Sequence, residues 1–192
     1  MIYLIRHGQT DTNKAKLLQG RRDVPLNETG EKQVEEAAKF FRSNGIHFDL
    51  VYTSPLIRAQ KTAKVIAGED VKTIIDERIT EMDYGPYEGV SVDDPPEEML
   101  TFFRDLIHNP VPEGMEDLAS IYHRFGDFLN DIKKEAAGKT VLISTHAIAM
   151  KGALEFLTPG AYGKFWSKYI GNCCIYKLDI VDGKFTRPVE FK

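Results

Sequence analysis

An arginine and a histidine stand side by side at Arg6-His7, directly after the apolar run Ile2 to Ile5 and before Gly8. A guanidinium that stays charged can hold an anion, and an imidazole beside it can attack as a nucleophile or carry a proton. The same residue types recur far along the chain. Arg58 follows Ser54-Pro55-Leu56-Ile57, His146 follows Thr140 to Thr145, and the stretch Glu77 to Gly89 is rich in acids and glycine. Each also has an ordinary reading, since an Arg-His pair ending an edge strand can simply be solvated and Arg58 can be a surface cation. Whether they do chemistry depends on the elements that carry them.

Ile2 to Ile5 has the make-up of a short buried strand, and Gly8 allows a sharp exit that a Cβ would resist. Arg6 and His7 then sit at a strand's carboxyl end, the edge where open α/β sheets bind ligands. Thr12 to Arg22 reads as a polar loop with Lys14, Lys16, Arg21 and Arg22. Asn27 suits the N-cap of a helix with Val34, Ala37, Ala38 and Phe41 on one face, stopped by Asn44-Gly45. Leu50 to Thr53 reads as a second buried strand. Ser54-Pro55 then predicts a helix beginning at once, with Ala59, Thr62, Ala63 and Ile66 inward and Arg58 off that stripe in the first turn. A cation there is electrostatically unfavourable unless an anion offsets it.

Val71 to Ile75 reads as a third strand. The proline-bearing segment from about 91 to 115 is helix-like only over Glu97 to Ile107, and reads either as a lid or substrate-facing insertion or as a surface helix with irregular connections. Asp117 precedes a broad apolar face of Leu118, Ile121, Tyr122, Phe125, Phe128, Leu129 and Ile132 that ends near Gly138. Thr140 to Ser144 is the fourth strand, and the helix after His146 turns Met150, Ala153, Leu154 and Leu157 inward. Cys173 to Ile180 and Phe185 to Phe191, joined by Asp182-Gly183, read as a hairpin. The alternation predicts a three-layer α/β/α sandwich, one domain over 1–192, with a mostly parallel central sheet and an antiparallel C-terminal portion. If the strands are parallel, two arginines and two histidines converge on one sheet edge.

Composition narrows the partners. The chain has 192 residues, 42% apolar and 28% charged, with a formal charge of −4. That balance argues against nucleic acid and acidic membrane surfaces, which call for a net basic footprint. No apolar run approaches a membrane span, and a cytoplasmic protein is expected. The two cysteines, Cys173 and Cys174, are adjacent. Neighbouring Cα atoms lie about 3.8 Å apart, below the usual disulfide span of about 4.4–6.8 Å, so they read as strand filling rather than as a bridge. His47, His108 and His123 form no metal-ligand pattern.

Leu4-Ile5-Arg6-His7-Gly8-Gln9-Thr10 resembles the defining signature of the histidine phosphatase superfamily, also called phosphoglycerate mutase-like. Gln19 to Asn27 is similar to its following loop, Ser54 to Ala63 to its second signature, Ile79-Thr80-Glu81 with Glu88-Gly89 to its acid-bearing loop, and Ser144-Thr145-His146 to its last. The resemblance implies that Arg6 and Arg58 hold a phosphoryl group, His7 accepts it as phosphohistidine, His146 stabilises the transferring charge, and Glu81 is the general acid. Glu88 competes for that last role. Asn13, Gln19, Gly20 and Ala147 would complete the phosphate pocket, with no metal and no cofactor required. Two positions depart from the pattern: Ala147 stands where glycine is usual after the second histidine, and Tyr87 where tryptophan is common. The implied function is a phosphatase acting on a small phosphorylated metabolite such as a phosphosugar or α-ribazole phosphate, with a homodimer left open. Asp93, Asp94, Glu97 and Glu98 would disfavour heavily anionic substrates if they face the pocket, and Phe102 and Phe103 could contact a ring-bearing leaving group. Cofactor-dependent phosphoglycerate mutase is the alternative, although such mutases resemble longer chains with more sequence between the acid and the second histidine. A catalytically silent phosphate-binding or scaffold protein is the alternative of another class.

Overall fold

The computed structural model describes residues 1–192. Its centre is a six-stranded sheet in the order β3-β2-β4-β1-β5-β8, built from β1 (Ile2–Arg6), β2 (Leu50–Thr53), β3 (Thr73–Ile75), β4 (Val141–Thr145), β5 (Ile175–Leu178) and β8 (Val189–Glu190). The first four are parallel, while β5 runs antiparallel to β1 and to β8. Between β5 and β8, β6 (Ile180–Val181) and β7 (Lys184–Phe185) form a separate two-residue hairpin. Asp182 and Gly183 both have positive φ there, as a tight primed turn requires. The single C-terminal hairpin expected from sequence is therefore divided into a small turn and two sheet strands.

Alternation along the buried strands sorts the two faces. Tyr3 and Ile5 of β1 pack with Val34, Ala37, Ala38 and Phe41 of α2 (Glu28–Ser43) and with Ala63 and Ile66 of α3 (Ile57–Ala67). Ile2 and Leu4 face the other way, onto Phe125, Phe128 and Leu129 of α5 (Leu118–Ala136) and Met150, Ala153 and Leu154 of α6 (Ala147–Phe156). Each fully buried side chain of this size contributes roughly 1.5–3 kcal/mol of transfer free energy, so both helical layers are pinned to the sheet. Cys173 belongs to one layer and Cys174 packs against the other, which agrees with their reading as filling.

A third cluster of Leu18, Met82, Tyr84, Met99, Phe102, Ile121 and Trp166 packs apart from the two layers. It fixes α4 (Glu97–Arg104), the helix of the 91–115 segment, to the body through Met99 and Phe102. Phe102 is fully buried there and does not face a ligand cavity. The segment's start is zipped to the loop after α1 (Asp11–Lys14): Val92 donates to the Lys16 carbonyl at 2.8 Å and Leu18 to the Val90 carbonyl at 2.8 Å. No helix is long and apolar enough to cross a membrane.

Gly8 is required for a reason other than an unusual φ. A Cβ on it would lie 2.6 Å from the Gly30 carbonyl oxygen and 2.8 Å from a Val34 methyl, so the turn after β1 is pressed against the first turn of α2.

Candidate active site

The parallel register Arg6↔Thr145 and Thr53↔Ser144 brings the ends of β1, β4 and β2 to one edge. His7 leaves β1 there, only 3% exposed. Its Nδ1 lies 2.7 Å from the Gly8 carbonyl. That oxygen can only accept, so Nδ1 carries the proton and Nε2 presents a lone pair. Burial, reinforced by Arg6 and then Arg58, pushes the His7 imidazole well below its ordinary value and keeps it neutral.

Arg58, in the first turn of α3, is fully buried. Its Nε donates to His7 Nε2 at 3.2 Å, its Nη1 to the Arg22 carbonyl at 2.8 Å and its Nη2 to the Gly20 carbonyl at 2.6 Å. Burial lowers its guanidinium to about 10, which leaves it charged at neutral pH. Gly20 therefore acts through its carbonyl, as a brace for Arg58, and does not line the cavity. Thr62, one helical turn on, accepts from the Gly8 N–H at 3.2 Å and donates to the Arg58 carbonyl at 2.7 Å.

His146 is the N-cap residue of α6 and fully buried, with its ring centroid 5.1 Å from that of His7. Burial first, then Arg58 and His7, hold it well below the ordinary imidazole range. Its Nε2 lies 2.8 Å from Ser54 Oγ, while its Nδ1 is buried without a partner. Ser54 already accepts from the Leu56 N–H at 3.3 Å, so its own proton is free for Nε2, which leaves Nδ1 as an unpaired N–H donor. The sequence missed this contact because Ser54 reads as the N-cap of α3. The N-cap is Leu56, and the helix starts at Ile57. That displacement releases the Ser54 hydroxyl to the neighbouring strand's histidine.

Beside this buried cluster opens a cavity of about 490 Å³ lined by Arg6, Asn13, Gln19, Glu81 and Ala147 at one end and by Lys16, Leu17, Tyr84, Val92, Asp93, Ile148 and Tyr169 towards the surface. Arg6 Nη1 donates to the Ile170 carbonyl at 2.6 Å, and its Nε is buried and unpartnered. Gln19 Oε1 accepts from Thr10 Oγ1 at 2.6 Å and Asn13 Nδ2 at 3.0 Å, so its amide nitrogen also stays unpartnered. Asn172, absent from the sequence expectations, lines the same cavity and donates to the His7 carbonyl at 3.0 Å. It sits in an irregular stretch with no local signal.

The two candidate acids separate cleanly. Glu81 lines the cavity, and its carboxylate accepts from the N–H groups of Met82 and Ala149, both at 2.9 Å, and of Ile148 at 3.2 Å. It thus seats itself on the first turn of α6. Glu88 instead accepts from Arg21 N at 2.6 Å and holds the loop whose carbonyls brace Arg58. Of the four acids expected around a lid, Asp93 lines the cavity and is paired with Lys16 at 2.8 Å; Asp94, Glu97 and Glu98 do not line it. His47, His108 and His123 are exposed. In α6, burial lowers the Lys151 amine to about 8, and its Nζ donates to the Trp166 carbonyl at 2.8 Å.

A neutral imidazole with a directed lone pair, the buried Arg58, the half-buried Arg6 and a second histidine now stand at one sheet edge, and residues 2–188 match the model of the histidine phosphatase superfamily, branch 1. The chain belongs to the histidine phosphatase superfamily. Among characterised members it is 32% identical over 170 residues to phosphoserine phosphatase 1 of Hydrogenobacter thermophilus, covering 86% of this chain and 80% of that one. It is 34% identical over 171 residues to a 2,3-bisphosphoglycerate-dependent phosphoglycerate mutase of Brucella anthropi, covering 82% of each. The crystal structure of Entamoeba histolytica phosphoserine phosphatase in complex with 3-phosphoglyceric acid superposes with a TM-score of 0.82 at 27% identity, covering 100% of this chain and 94% of that chain. Bacillus stearothermophilus YhfR superposes with a TM-score of 0.85 at 26% identity, covering 97% of this chain and 94% of that chain. This member of the superfamily shares the overall fold of those two structures.

Proposed function

We propose that this histidine phosphatase hydrolyses a small phosphomonoester through a phosphohistidine on His7. The observation that carries the reading is the lone pair on a buried, neutral His7 Nε2, fixed by the Gly8 carbonyl and faced by Arg58. Three buried polar groups nearby, Arg6 Nε, Gln19 Nε2 and His146 Nδ1, lack partners. Such groups are costly to leave unsatisfied, and a dianionic phosphoryl group would take hydrogen bonds from all three. In this mechanism Arg58 gives up Nε2 as the phosphoryl group enters, and Nε2 attacks phosphorus in line. Glu81, in its protonated form, gives a proton to the departing ester oxygen, and as carboxylate it accepts one from the water that cleaves the phosphohistidine. Donors of the His146 kind contribute about 10²–10³-fold each to rate when they meet charge formed in the transition state.

Water rather than a second phosphorylated acid is the favoured acceptor. The cavity's cations are Arg6, at the phosphate end, and Lys16, already paired with Asp93, so a second phosphate or a carboxylate on the substrate finds no unpaired cation at the rim. The named mutase relatives keep the other reading testable. Incubation with 3-phosphoglycerate and 2,3-bisphosphoglycerate should release inorganic phosphate without interconverting the phosphoglycerates, and rapid interconversion would reverse the assignment. A panel of phosphoserine, phosphosugars, nucleotides and α-ribazole phosphate identifies the substrate. Acid-quenched labelling should place the phosphoryl group on His7; a label on any other residue overturns the mechanism. The reading places the enzyme in the cytoplasm, with the segment 91–115 as one wall of the leaving-group end.

A further inference from the structure

Glu81 sits in an irregular stretch between two 3₁₀ turns, Glu77–Ile79 and Gly85–Tyr87, so no regular hydrogen-bond ladder fixes its backbone. Thr145 of β4 donates its hydroxyl to the Ile79 carbonyl at 2.7 Å, and the carbonyls on either side of that point are gripped from α5. Arg124 Nη1 donates to the carbonyls of Arg78 and Thr80, both at 2.7 Å, and Nη2 donates to the Glu81 carbonyl at 3.3 Å. The remaining two donors go to Glu116: Nε to Oε1 at 2.7 Å and Nη2 to Oε2 at 3.1 Å. All five N–H donors of one guanidinium are thereby used. Glu116 in turn accepts from the Asp83 N–H at 3.2 Å and from Ser120 Oγ at 2.9 Å, and its own N–H donates to the Asp83 carbonyl at 2.8 Å. The side chains of Arg124 and Glu116 are only 15% and 8% exposed, and neither residue lines the cavity.

We propose that the Arg124–Glu116 pair is a positioning device for the general acid, gripping the acid-bearing loop on both sides of Glu81 from a helix that never touches substrate. This rests on the reading of Glu81 as the acid. Alternative uses of the pair fit less well. A pair kept only for stability needs no convergence of the Arg78, Thr80 and Glu81 carbonyls on one side chain, and a buried ion pair is itself weak evidence of stabilisation. A lysine at the same place keeps the charge but offers three donors from one point, so it cannot span the Arg78, Thr80 and Glu81 carbonyls together with Glu116. A proton donor must lie within about 2.6–3.2 Å of the oxygen it serves, and a misplacement of about 1 Å can cost on the order of 10²-fold.

Leaving-group chemistry separates positioning from general loosening. A nitrophenolate departs without a proton, whereas an alkoxide does not, so a displaced acid harms only the second. The measured quantity is kcat/KM, which covers the steps up to phosphohistidine and leaves out its hydrolysis. For Arg124→Lys, kcat/KM on an alkyl phosphate such as phosphoserine or glycerol phosphate should fall on the order of 10²-fold, while that on p-nitrophenyl phosphate changes less than about 3-fold. Glu116→Gln, which keeps the side-chain shape, should show the same selectivity at smaller size and serves if Arg124→Lys does not fold. Equal losses on both substrates, or no loss on either, in the folded variant overturn the proposal. Glu81→Gln is run alongside. If it shows no leaving-group selectivity, the assignment of the acid itself is wrong; if it does and both loop variants do not, only the positioning role falls.

Discussion

The two ends of the cavity are built by different means. At the buried end, three of the proposed reacting groups are already bonded to backbone: His7 to the Gly8 carbonyl, Arg58 to those of Gly20 and Arg22, Glu81 to the N–H groups of α6. At the rim, Lys16 and Asp93 hold one another with side chains 65% and 64% exposed, and Tyr169 is 83% exposed on an irregular segment. The contrast teaches where precision resides. The groups proposed to meet the phosphoryl charge are preorganised in a buried setting, where each hydrogen bond counts most, and the groups at the rim are left adaptable in water.

Substitutions graded from the buried end to the rim test that contrast. His7→Ala should reduce phosphomonoester turnover by about 10⁴-fold or more and abolish the acid-quenched label. Arg58→Lys keeps a positive charge but cannot reproduce three divergent donors, and kcat/KM should drop by about 10²–10³-fold. Ser54→Ala removes the orienting bond to His146 together with the long bond from the Leu56 N–H, for an expected loss of about 10-fold with KM little changed. Asp93→Ala at the rim should alter kcat/KM on a neutral-leaving-group monoester by no more than about 3-fold, since exposed pairs are worth roughly 1 kcal/mol or less. A rim substitution that outweighed Ser54→Ala would break the contrast.

Acidity adds a test on stability. His7 and His146 are held well below 6.5 in the fold, whereas an unfolded histidine titrates near 6.5. Between those values the unfolded chain binds more protons than the native one, so stability is present above about 6.5 and is lost as pH falls below it. The melting temperature should decline from pH 7 towards pH 5, and His146→Asn should flatten that decline; an unchanged slope would show that His146 is not held neutral. Glu116 adds a lower window. Burial would raise its carboxyl, but the bonds from Arg124 outweigh this and hold it below the usual range, so its contribution is lost only under more acidic conditions.

Most of the framework was legible in the residues. Strands, amphipathic stripes and the N-cap at Asn27 follow from local periodicity and local hydrogen bonding, and the structure reproduces them. Segment ends were less legible. The α3 start moved past Ser54, the final hairpin divided, and Phe102 went into a buried cluster rather than a cavity, because each outcome depends on a distant partner.

The sequence determined the alternation of strands and helices and the three-layer arrangement, and its resemblance to the family singled out Arg6, His7, Arg58, Glu81 and His146 as the residues proposed to handle a phosphoryl group. Side-chain periodicity and residue chemistry are local properties, so they can be read without coordinates. Tertiary structure alone decided which nitrogen of His7 is free, that Ser54 orients His146, that Glu81 rather than Glu88 lines the cavity, and that Arg124 grips its loop. Those are matters of hydrogen-bond direction between elements tens of residues apart, and direction exists only once the chain has folded.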